Sequence, residues 1–243
     1  MSLERIATGG GAILYDPSRT GNAPELFDRE HWRARGALRD APGGRGAIAF
    51  LDDGASGLVL RHCLRGGLVA RLSRDRYLWL GEARTRAWRE LRLLHTLVAL
   101  GLPVPAPVAA RYLRRGVTYQ ADLVTVRLPG SRSLAERWMS GEILDEDWRA
   151  VGRCIRGFHD AGVQHADLNA HNVMLGTGGK VWLLDFDRGR LRRPGRWQGR
   201  VLARLARSLD KLSRGRTGRP DWRAGFGLLL AAHGPTGAAV ANR

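Results

Sequence analysis

The chain has 243 residues, a formal net charge of +17 from 40 Lys and Arg against 23 Asp and Glu, and 44% hydrophobic residues. This length can form one large domain or two small lobes with a sizeable core. The two cysteines exclude a disulfide framework, and the short, interrupted apolar runs predict neither a secretory signal nor a membrane-spanning helix. We therefore expect a cytosolic protein whose positive charge meets an anionic partner: nucleic acid, acidic lipid or a phosphorylated substrate.

The segments before residue 73 predict a small sheet and a short helix. Apolar runs typical of strands occupy 12–15, 47–51 and 57–63, a helix is expected over 31–39, and 68–72 is expected to continue the sheet. Asp53-Gly54 lies between two of these strands and is a turn signal that predicts a β-hairpin.

A longer helix is predicted over 82–100, because apolar residues recur there at spacings of three and four. The residues on its predicted apolar face are Trp88, Leu91, Leu94, His95 and Val98. Gly101 is expected to end the helix. Residues 117–128 then predict either one bent strand or two strands, before Pro129-Gly130 breaks the pattern.

The remaining half of the chain is predicted to be mostly helical. Residues 145–162 form a helix with acidic residues in the first turn and an apolar face of Trp148, Val151, Ile155 and Phe158. The predicted fold class is therefore α+β, with a β-rich N-lobe of residues 1–128 that carries one main helix and a mostly helical C-lobe of residues 129–243.

A polar cluster follows this helix in HADLNAHNVMLGTGGKVWLLDFD, residues 165–187. His165, Asp167 and Asn172 have the spacing H-x-D-x-x-x-x-N, and Asp185 ends a strand-like run. Phosphoryl transfer from ATP needs a carboxylate for the attacking hydroxyl and oxygen ligands for Mg²⁺. Asp167 is the candidate catalytic carboxylate, Asn172 and Asp185 are candidate Mg²⁺ ligands, and His165 is placed in the catalytic set chiefly to brace the loop. The alternative is a hairpin turn whose polar side chains only fix its geometry.

The motifs resemble those of a known family. HADLNAHN and LLDFD are similar to the catalytic and metal-binding segments of the protein-kinase-like fold. With RHCLRGGLVARLSRDRYLWLG, LPVPAPVAARY, YQADL and VWLLDFDRGRLR, they resemble the 3-deoxy-D-manno-octulosonic acid (Kdo) kinases, relatives of the lipopolysaccharide core heptose kinases. The resemblance covers about residues 40–195. It implies a two-lobed kinase-like fold that uses ATP and Mg²⁺.

The resemblance also implies a phosphate-binding basic residue in the N-lobe. Arg61, in GLVLRHC, takes that place with Glu90 as its helix partner, although most kinases have Lys there. Arg71 is a competing candidate. The alternative for Glu90 is a surface carboxylate in an Arg-rich helix.

Gly43, Gly44 and Gly46 are expected to form the loop that covers the phosphates, with a plain turn as the alternative. The segment that faces adenine is expected near residues 124–128, from its position alone.

Two departures from the kinase pattern favour a small-molecule or glycolipid acceptor over a protein. Protein Ser/Thr kinases usually have Lys two residues after the catalytic Asp, whereas this chain has Asn169. Asp187 replaces the Gly of Asp-Phe-Gly, which removes the backbone freedom used in regulatory switching. Asp187 is left open between metal or substrate binding and a salt bridge with an Arg neighbour.

The segment 188–219 holds twelve basic residues and one acidic residue, Asp210. Within 197–214, leucines form one stripe, and Arg200, Arg204, Arg207, Lys211 and Arg214 recur on another face. Such a helix can lie on an anionic membrane, or it can pack on the C-lobe with its Arg face solvated. No zinc-finger spacing or RNA-recognition signature is present, so no nucleic-acid partner is expected.

The resemblance implies an ATP-dependent kinase that phosphorylates the 4-hydroxyl of Kdo on a Kdo-lipid A precursor. Such an enzyme is expected to be cytoplasmic and peripheral on the anionic inner-membrane surface. One alternative is a kinase for another small acceptor, such as an aminoglycoside, and another is a non-catalytic module that binds anionic lipid. The acyl state of the lipid and the oligomeric state are not predicted.

Overall fold

The computed structural model describes residues 2–41, 47–64, 75–215, 218 and 221–236. The chain divides into two compact units. The first unit consists of Met1–His95 and Pro105–Arg127, and the second of Thr96–Val104 and Leu128–Arg243. The boundary between N-lobe and C-lobe at residues 128 and 129 stays a prediction.

In the described part of the first unit, eight strands form one antiparallel sheet. They are β1 (Glu4–Thr8), β2 (Gly11–Tyr15), β3 (Leu38–Asp40), β4 (Ile48–Leu51), β5 (Leu58–His62), β6 (Tyr77–Leu78), β7 (Pro107–Arg115) and β8 (Thr118–Val126). Their order is β1-β2-β7-β8-β5-β4-β3, and β6 also pairs with β8.

This sheet contains the strands predicted at 12–15, 47–51 and 57–63, which are confirmed. The segment 117–128, left open between one strand and two, forms the single strand β8. The predicted continuation at 68–72 lies outside the described residues.

The helix predicted at 31–39 is shorter in the structure. Helix α1 spans Arg29–Ala34 and begins at Asp28, whose carboxylate accepts hydrogen bonds from the backbone N–H groups of Glu30 and His31 at 3.0 Å. Gly36 then adopts a positive φ of 65°, which ends the helical path before β3.

Helix α2 spans Arg86–Ala99, within the predicted range. Trp88, Leu91 and Leu94 are buried as predicted, but Val98 is 37% exposed and Leu97 is fully buried instead. The prediction was wrong at that position because a spacing of three continues from Leu94, which turns Leu97 toward the core.

The N-terminal segment, which adds little to the family resemblance, contributes to the core of the first unit. Phe27 and Trp32 form one buried cluster with Leu51, Leu60 and other apolar residues of the sheet. Burial of side chains of this size stabilises a fold by about 1.5–3 kcal/mol each. The residues before β3 are therefore an integral part of the unit.

The second unit is mostly helical. Its helices are α3 (Leu134–Ser140), α4 (Asp145–Asp160), α5 (Trp197–Ser213) and α6 (Trp222–His233), and its short strands are β9 (Arg132–Ser133), β10 (Val163–Gln164), β11 (Val173–Leu175), β12 (Val181–Leu183) and β13 (Arg190–Leu191). The apolar face predicted for α4 is confirmed, since Trp148, Val151, Ile155 and Phe158 are all buried.

Helices α4 and α6 approach so closely that each needs a glycine at the contact. A Cβ atom on Gly152 would lie 2.2 Å from the carbonyl oxygen of Leu229, and one on Gly225 would lie 2.3 Å from the Trp148 ring. Both distances are far below van der Waals contact, so neither site accepts a side chain without a shift of the helices. This packing fixes α4, which leads directly into β10.

Cys63 is buried and Cys154 is partly buried, and both are free thiols. Burial raises the pKa of each thiol to about 12, so neither is a thiolate near neutral pH. The two cysteines therefore act as small core residues, as expected from the absence of a disulfide framework.

Candidate active site

The segment 165–172 connects β10 to β11 and carries the predicted catalytic residues. Its apolar residues Leu168 and Ala170 are fully buried. Phe186 is 1% exposed, stacks on Phe158 with ring centroids 5.5 Å apart and also contacts the His165 ring, with centroids 4.7 Å apart. Buried apolar residues and more exposed polar residues alternate along this loop, so the apolar side chains anchor it to the core. The polar side chains between them are left to solvent.

His165 is 2% exposed, and both of its ring nitrogens are committed to the fold. Nδ1 accepts the backbone N–H of Asp167 at 3.2 Å, and Nε2–H donates to the carbonyl oxygen of Leu184 at 2.7 Å. Only a neutral ring protonated on Nε2 can make both bonds. Burial also lowers the pKa of His165, which favours the same neutral form. The ring thus ties the loop to the chain that follows β12.

Asn172 and Asp185 are brought together by the β11–β12 hairpin. Val173 is paired with Leu183, and the Leu184 N–H donates to the Asn172 carbonyl at 2.9 Å, so Asp185 comes one residue after the position opposite Asn172. The Asn172 Nδ2 group donates to the carbonyl oxygen of Asp167 at 3.1 Å. That bond turns the donor end of the amide to the loop and leaves Oδ1 as the end that can meet a cation.

Asp185 lies beyond the strand rather than in it, which corrects its expected position at the end of a strand-like run. Its φ is +64°, and no other non-glycine residue in the described ranges has a positive φ. A left-handed backbone at such a residue costs about 1–3 kcal/mol and persists where the surrounding structure imposes it. Asp185 therefore has the strained backbone typical of a functional position.

The donor set fits a Mg²⁺ ion bound together with a nucleotide. No cluster of three or more His, Cys, Asp or Glu suited to a metal occurs in the described part of the chain. Asn172 and Asp185 offer one amide oxygen and one carboxylate, and Mg²⁺ typically takes one or two protein carboxylates with waters and substrate phosphates completing the shell. The pair alone is too sparse for a resident metal centre and adequate for a metal that arrives with ATP.

The carboxylate of Asp167 is 51% exposed and forms an ion pair with Arg204 of helix α5. Arg204 Nε donates to Asp167 Oδ1 at 2.7 Å. A second link ties the same helix to the loop, because the Ala170 N–H donates to Ser208 Oγ at 3.0 Å. Helix α5 is therefore part of the site that contains Asp167.

Sequence reasoning missed Arg204 as a site residue and assigned it to a solvated or membrane-facing surface. The signal that could have found it is Asn169, which leaves the loop without the usual lysine beside the catalytic carboxylate. A cation for that place then has to come from another element, and the Arg-rich helix was the obvious source.

A pocket of about 630 Å³ opens between the loop and helix α5. Polar and charged side chains dominate its wall, which is lined by Asp167, Asn169, His171, Arg204, Arg207, Ser208, Lys211, Leu212 and Arg214. One carboxylate therefore lies among four cationic side chains. The electrostatic character of the pocket is basic.

The structure brings Arg61 and Glu90 together as an ion pair in the first unit. The Glu90 side chain is 2% exposed, so the alternative of a surface carboxylate is wrong. Arg61 is 26% exposed, and it lies on β5 between Ile48 of β4 and Leu123 of β8. A carboxylate buried to this degree requires its partner, because desolvation of an unpaired charge is costly.

Four other predicted site residues are not among those that the structure describes. Gly43, Gly44 and Gly46, assigned to the phosphate-covering loop, and Arg71, the competing phosphate-binding residue, lie outside the described residues. The glycines fall between β3 and β4 in the sequence. Asp187 is half-buried, and its role stays a prediction.

A β-rich unit with a buried Arg–Glu pair and a helical unit with an H-x-D-x-x-x-x-N loop and a following Asp define a protein-kinase-like α+β fold. Residues 29–224 match the Lipopolysaccharide kinase (Kdo/WaaP) family. The chain belongs to that family. This membership confirms the predicted family, the kinase-like fold and an ATP-dependent kinase activity.

Curated relatives are similar over nearly the whole chain. A 3-deoxy-D-manno-octulosonic acid kinase of Xanthomonas euvesicatoria pv. vesicatoria (strain 85-10) is 50% identical over 232 residues, which cover 94% of this chain and 92% of that protein. Kinases of the same name from Stenotrophomonas maltophilia (strain K279a) and Xanthomonas campestris pv. campestris (strain B100) are 45% and 49% identical, and they cover 94% and 88% of this chain and 92% and 86% of their own lengths.

None of the helices in the described ranges is both long enough and apolar enough to cross a bilayer.

Proposed function

We propose that the protein transfers the γ-phosphate of ATP to the 4-hydroxyl of Kdo on a Kdo-lipid A precursor, in lipopolysaccharide inner-core biosynthesis. The observation that carries the proposal is the exposed Asp167 carboxylate at the edge of a basic pocket. A carboxylate in that place can act on a sugar hydroxyl, while the surrounding cations suit an acceptor that carries a carboxylate and phosphates. The names of the relatives give the acceptor sugar.

Asp167 orients the attacking hydroxyl and takes its proton as the new O–P bond to the γ-phosphorus forms and the bond from that phosphorus to the departing ADP breaks. Its carboxylate is solvent-accessible and its backbone is held by His165 through the 3.2 Å bond to its N–H. His165 therefore acts as a positioning residue. Its ring has no free nitrogen for proton exchange, because Nε2–H is already bonded to the Leu184 carbonyl.

Asn172 and Asp185 are proposed to hold Mg²⁺ through Oδ1 of the amide and the carboxylate. When bound, the ion neutralises charge on the β- and γ-phosphates. Arg61 is proposed to bind the α- and β-phosphates, with Glu90 fixing its guanidinium group. The glycines at 43, 44 and 46 are proposed to cover the phosphates, and residues 124–128 to face the adenine.

The proposed location is cytoplasmic, on the anionic face of the inner membrane. The net charge of +17 favours association with an anionic surface, and this attraction weakens as ionic strength rises. An acceptor anchored in the bilayer by its acyl chains makes such a location necessary for turnover.

The basic pocket disfavours the alternative of a cationic acceptor such as an aminoglycoside. Arg204, Arg207 and Lys211 would repel ammonium groups brought close to Asp167. The alternative of a non-catalytic lipid-binding module does not explain why the loop, the hairpin and the strained backbone of Asp185 occur together in one chain.

Transfer of labelled phosphate from ATP to a Kdo-lipid A precursor in the presence of Mg²⁺ tests this function. We expect incorporation into the lipid by the wild-type protein, incorporation slower by about 10²-fold or more with Asp167→Asn, and none into a protein acceptor. ATP binding without transfer to the lipid would keep the kinase assignment and redirect the search to soluble sugar acceptors. Transfer at an undiminished rate without added divalent metal would contradict the roles of Asn172 and Asp185.

A further inference from the structure

The basic face of α5 contains two cations, Arg207 and Lys211, that form no ion pair with a carboxylate among the described residues. Arg204, Arg207 and Lys211 recur at spacings of three and four, so they emerge on one side of the helix and line the same pocket. Arg204 pairs with Asp167. In the described part of the chain, neither Arg207 nor Lys211 has a carboxylate oxygen within 4.0 Å.

This arrangement differs from that of the exposed arginines on helix α4. Arg153 pairs with Glu146, and Arg156 pairs with Asp160 one helical turn away. Arginine side chains on α4 are thus matched to acids, as is usual for a solvated helix surface. On α5, like charges are instead gathered around a concave space, and they repel one another until an anion enters.

The position of Arg200 distinguishes binding of a ligand in the pocket from binding to a flat membrane surface. Arg200 lies one turn before Arg204 on the same helix and is exposed, yet it does not line the pocket. A planar bilayer would engage Arg200 as readily as Arg207, whereas a ligand within the pocket would engage only the lining residues. The volume of this open pocket, about 630 Å³, is within the range of small-molecule sites.

We propose that Arg207 and Lys211 form the subsite that binds an anionic group of the acceptor, a carboxylate or a phosphate, next to Asp167. This inference rests on the proposed function, because it assigns a role within the same phosphotransfer. Guanidinium and ammonium groups bind such anions through charge-assisted hydrogen bonds, and Arg207 can do so in bidentate fashion. Binding the anion there fixes the distance between the acceptor hydroxyl and the Asp167 carboxylate.

The decisive experiment compares Arg207→Gln/Lys211→Gln with the matched control Arg200→Gln in uncharged detergent micelles, where no anionic bilayer is present. The KM values for the Kdo-lipid A precursor and for ATP are measured for each protein. We expect the double variant to raise the acceptor KM about tenfold or more, as loss of charge-assisted bonds predicts, with the ATP KM unchanged. Arg200→Gln is expected to match the wild type in both.

An unchanged acceptor KM in the double variant would overturn the subsite, and so would an equal increase in Arg200→Gln. A defect seen only when the acceptor is presented in anionic vesicles, and shared by Arg200→Gln, would assign these residues to the membrane surface instead.

A titration that needs no turnover distinguishes failure of the subsite from failure of the proposed function. Free Kdo, which carries a carboxylate and no phosphate, and inorganic phosphate are titrated calorimetrically into the three proteins. If the wild type transfers no phosphate to Kdo-lipid A, the proposed function fails and this titration decides the subsite. Binding of either anion that is lost in the double variant and kept in Arg200→Gln supports it, while absent or equal binding overturns it. Which anion binds identifies the group recognised.

Discussion

Two ion pairs between an arginine and a carboxylate include predicted site residues, and the two pairs differ chiefly in how deeply they are buried. Glu90, the partner of Arg61, is 2% exposed, whereas Asp167 and Arg204 are 51% and 48% exposed. A buried carboxylate is bound to its partner by the cost of desolvation, but an exposed pair gains little in stability and exchanges readily with other ions. The first pair is thus expected to remain intact in the folded protein, whereas the second can open and close at little cost in free energy.

The largest expected effect is on turnover at the exposed pair. Asp167→Asn removes the carboxylate that we propose takes the proton of the attacking hydroxyl, so we expect kcat to fall about 10²- to 10⁴-fold. The fold should persist because the side chain is exposed and of nearly the same size. Asp160→Asn is a matched control, since Asp160 also forms an exposed pair with an arginine of similar accessibility. A rate near that of wild type would remove Asp167 from its proposed role.

The buried pair should affect stability instead. Glu90→Ala leaves the Arg61 guanidinium without its partner, and we expect a loss of about 3 kcal/mol in the free energy of unfolding, measured in urea. Glu146→Ala, at an exposed ion pair on α4, should cost much less, because solvent screens that pair. Equal losses in the two variants would contradict the contrast between buried and exposed pairs.

The same buried pair is expected to set nucleotide affinity. Arg61→Ala should weaken ATP binding more than Arg71→Ala, by about tenfold or more for each charge-assisted bond to phosphate that is lost. Nucleotide titration of the two purified variants measures this difference. The reverse order would transfer the phosphate-binding role to Arg71.

A buried pair of histidines, His159 and His233, predicts that the stability of the fold depends on pH. His159 Nδ1 lies 2.8 Å from His233 Nε2, and His233 Nδ1–H donates to the Gly234 carbonyl at 2.8 Å, so a neutral His233 ring accepts the Nδ1–H of His159. Burial first, and then the charge of His233, lower the pKa of His159 to about 3. The unfolded chain, with an ordinary histidine pKa near 6.5, therefore binds the proton more readily than the folded protein does.

Stability from this pair is present in full above pH 6.5 and is lost progressively as the pH falls toward 3. Between pH 6.5 and 5 the loss should be about 2 kcal/mol, from the usual 1.36 kcal/mol per pKa unit. His165, whose pKa is also lowered by burial, acts in the same direction. Urea unfolding at pH 7.5 and pH 5 tests the sign, and His159→Asn should show a smaller pH dependence than wild type.

The smallest expected effect on stability belongs to Arg204. Arg204→Ala breaks an exposed pair and should change the free energy of unfolding by less than about 1 kcal/mol, while kcat falls because Asp167 loses the group that positions it. Arg204→Lys should restore part of kcat, and Arg200→Ala should have no effect on it. A purely structural role for Arg204 would instead reduce stability and leave the kcat of the folded protein unchanged.

Local patterns were sufficient for much of the fold and for the identity of the phosphotransfer loop. The spacing of His165, Asp167 and Asn172, with Asp185 downstream, predicted the candidate site residues, because a catalytic loop is a short segment whose geometry depends on its own spacing. Periodicity likewise placed α4 and its buried face. It assigned burial to the wrong residue at one position of α2, where Leu97 rather than Val98 is buried. The two positions differ by only about 100° around a helix.

Contacts between residues distant in the sequence could not be obtained in this way. The amphipathic pattern of 197–214 predicted a helix with a basic face, but only the tertiary structure decided that this face adjoins Asp167 and encloses a pocket. The burial of Glu90 against Arg61, 29 residues earlier, and the left-handed backbone of Asp185 also depend on how the segments pack. The sequence by itself determined the candidate catalytic groups, because they lie in one short segment, whereas packing of distant segments determined which cations surround them.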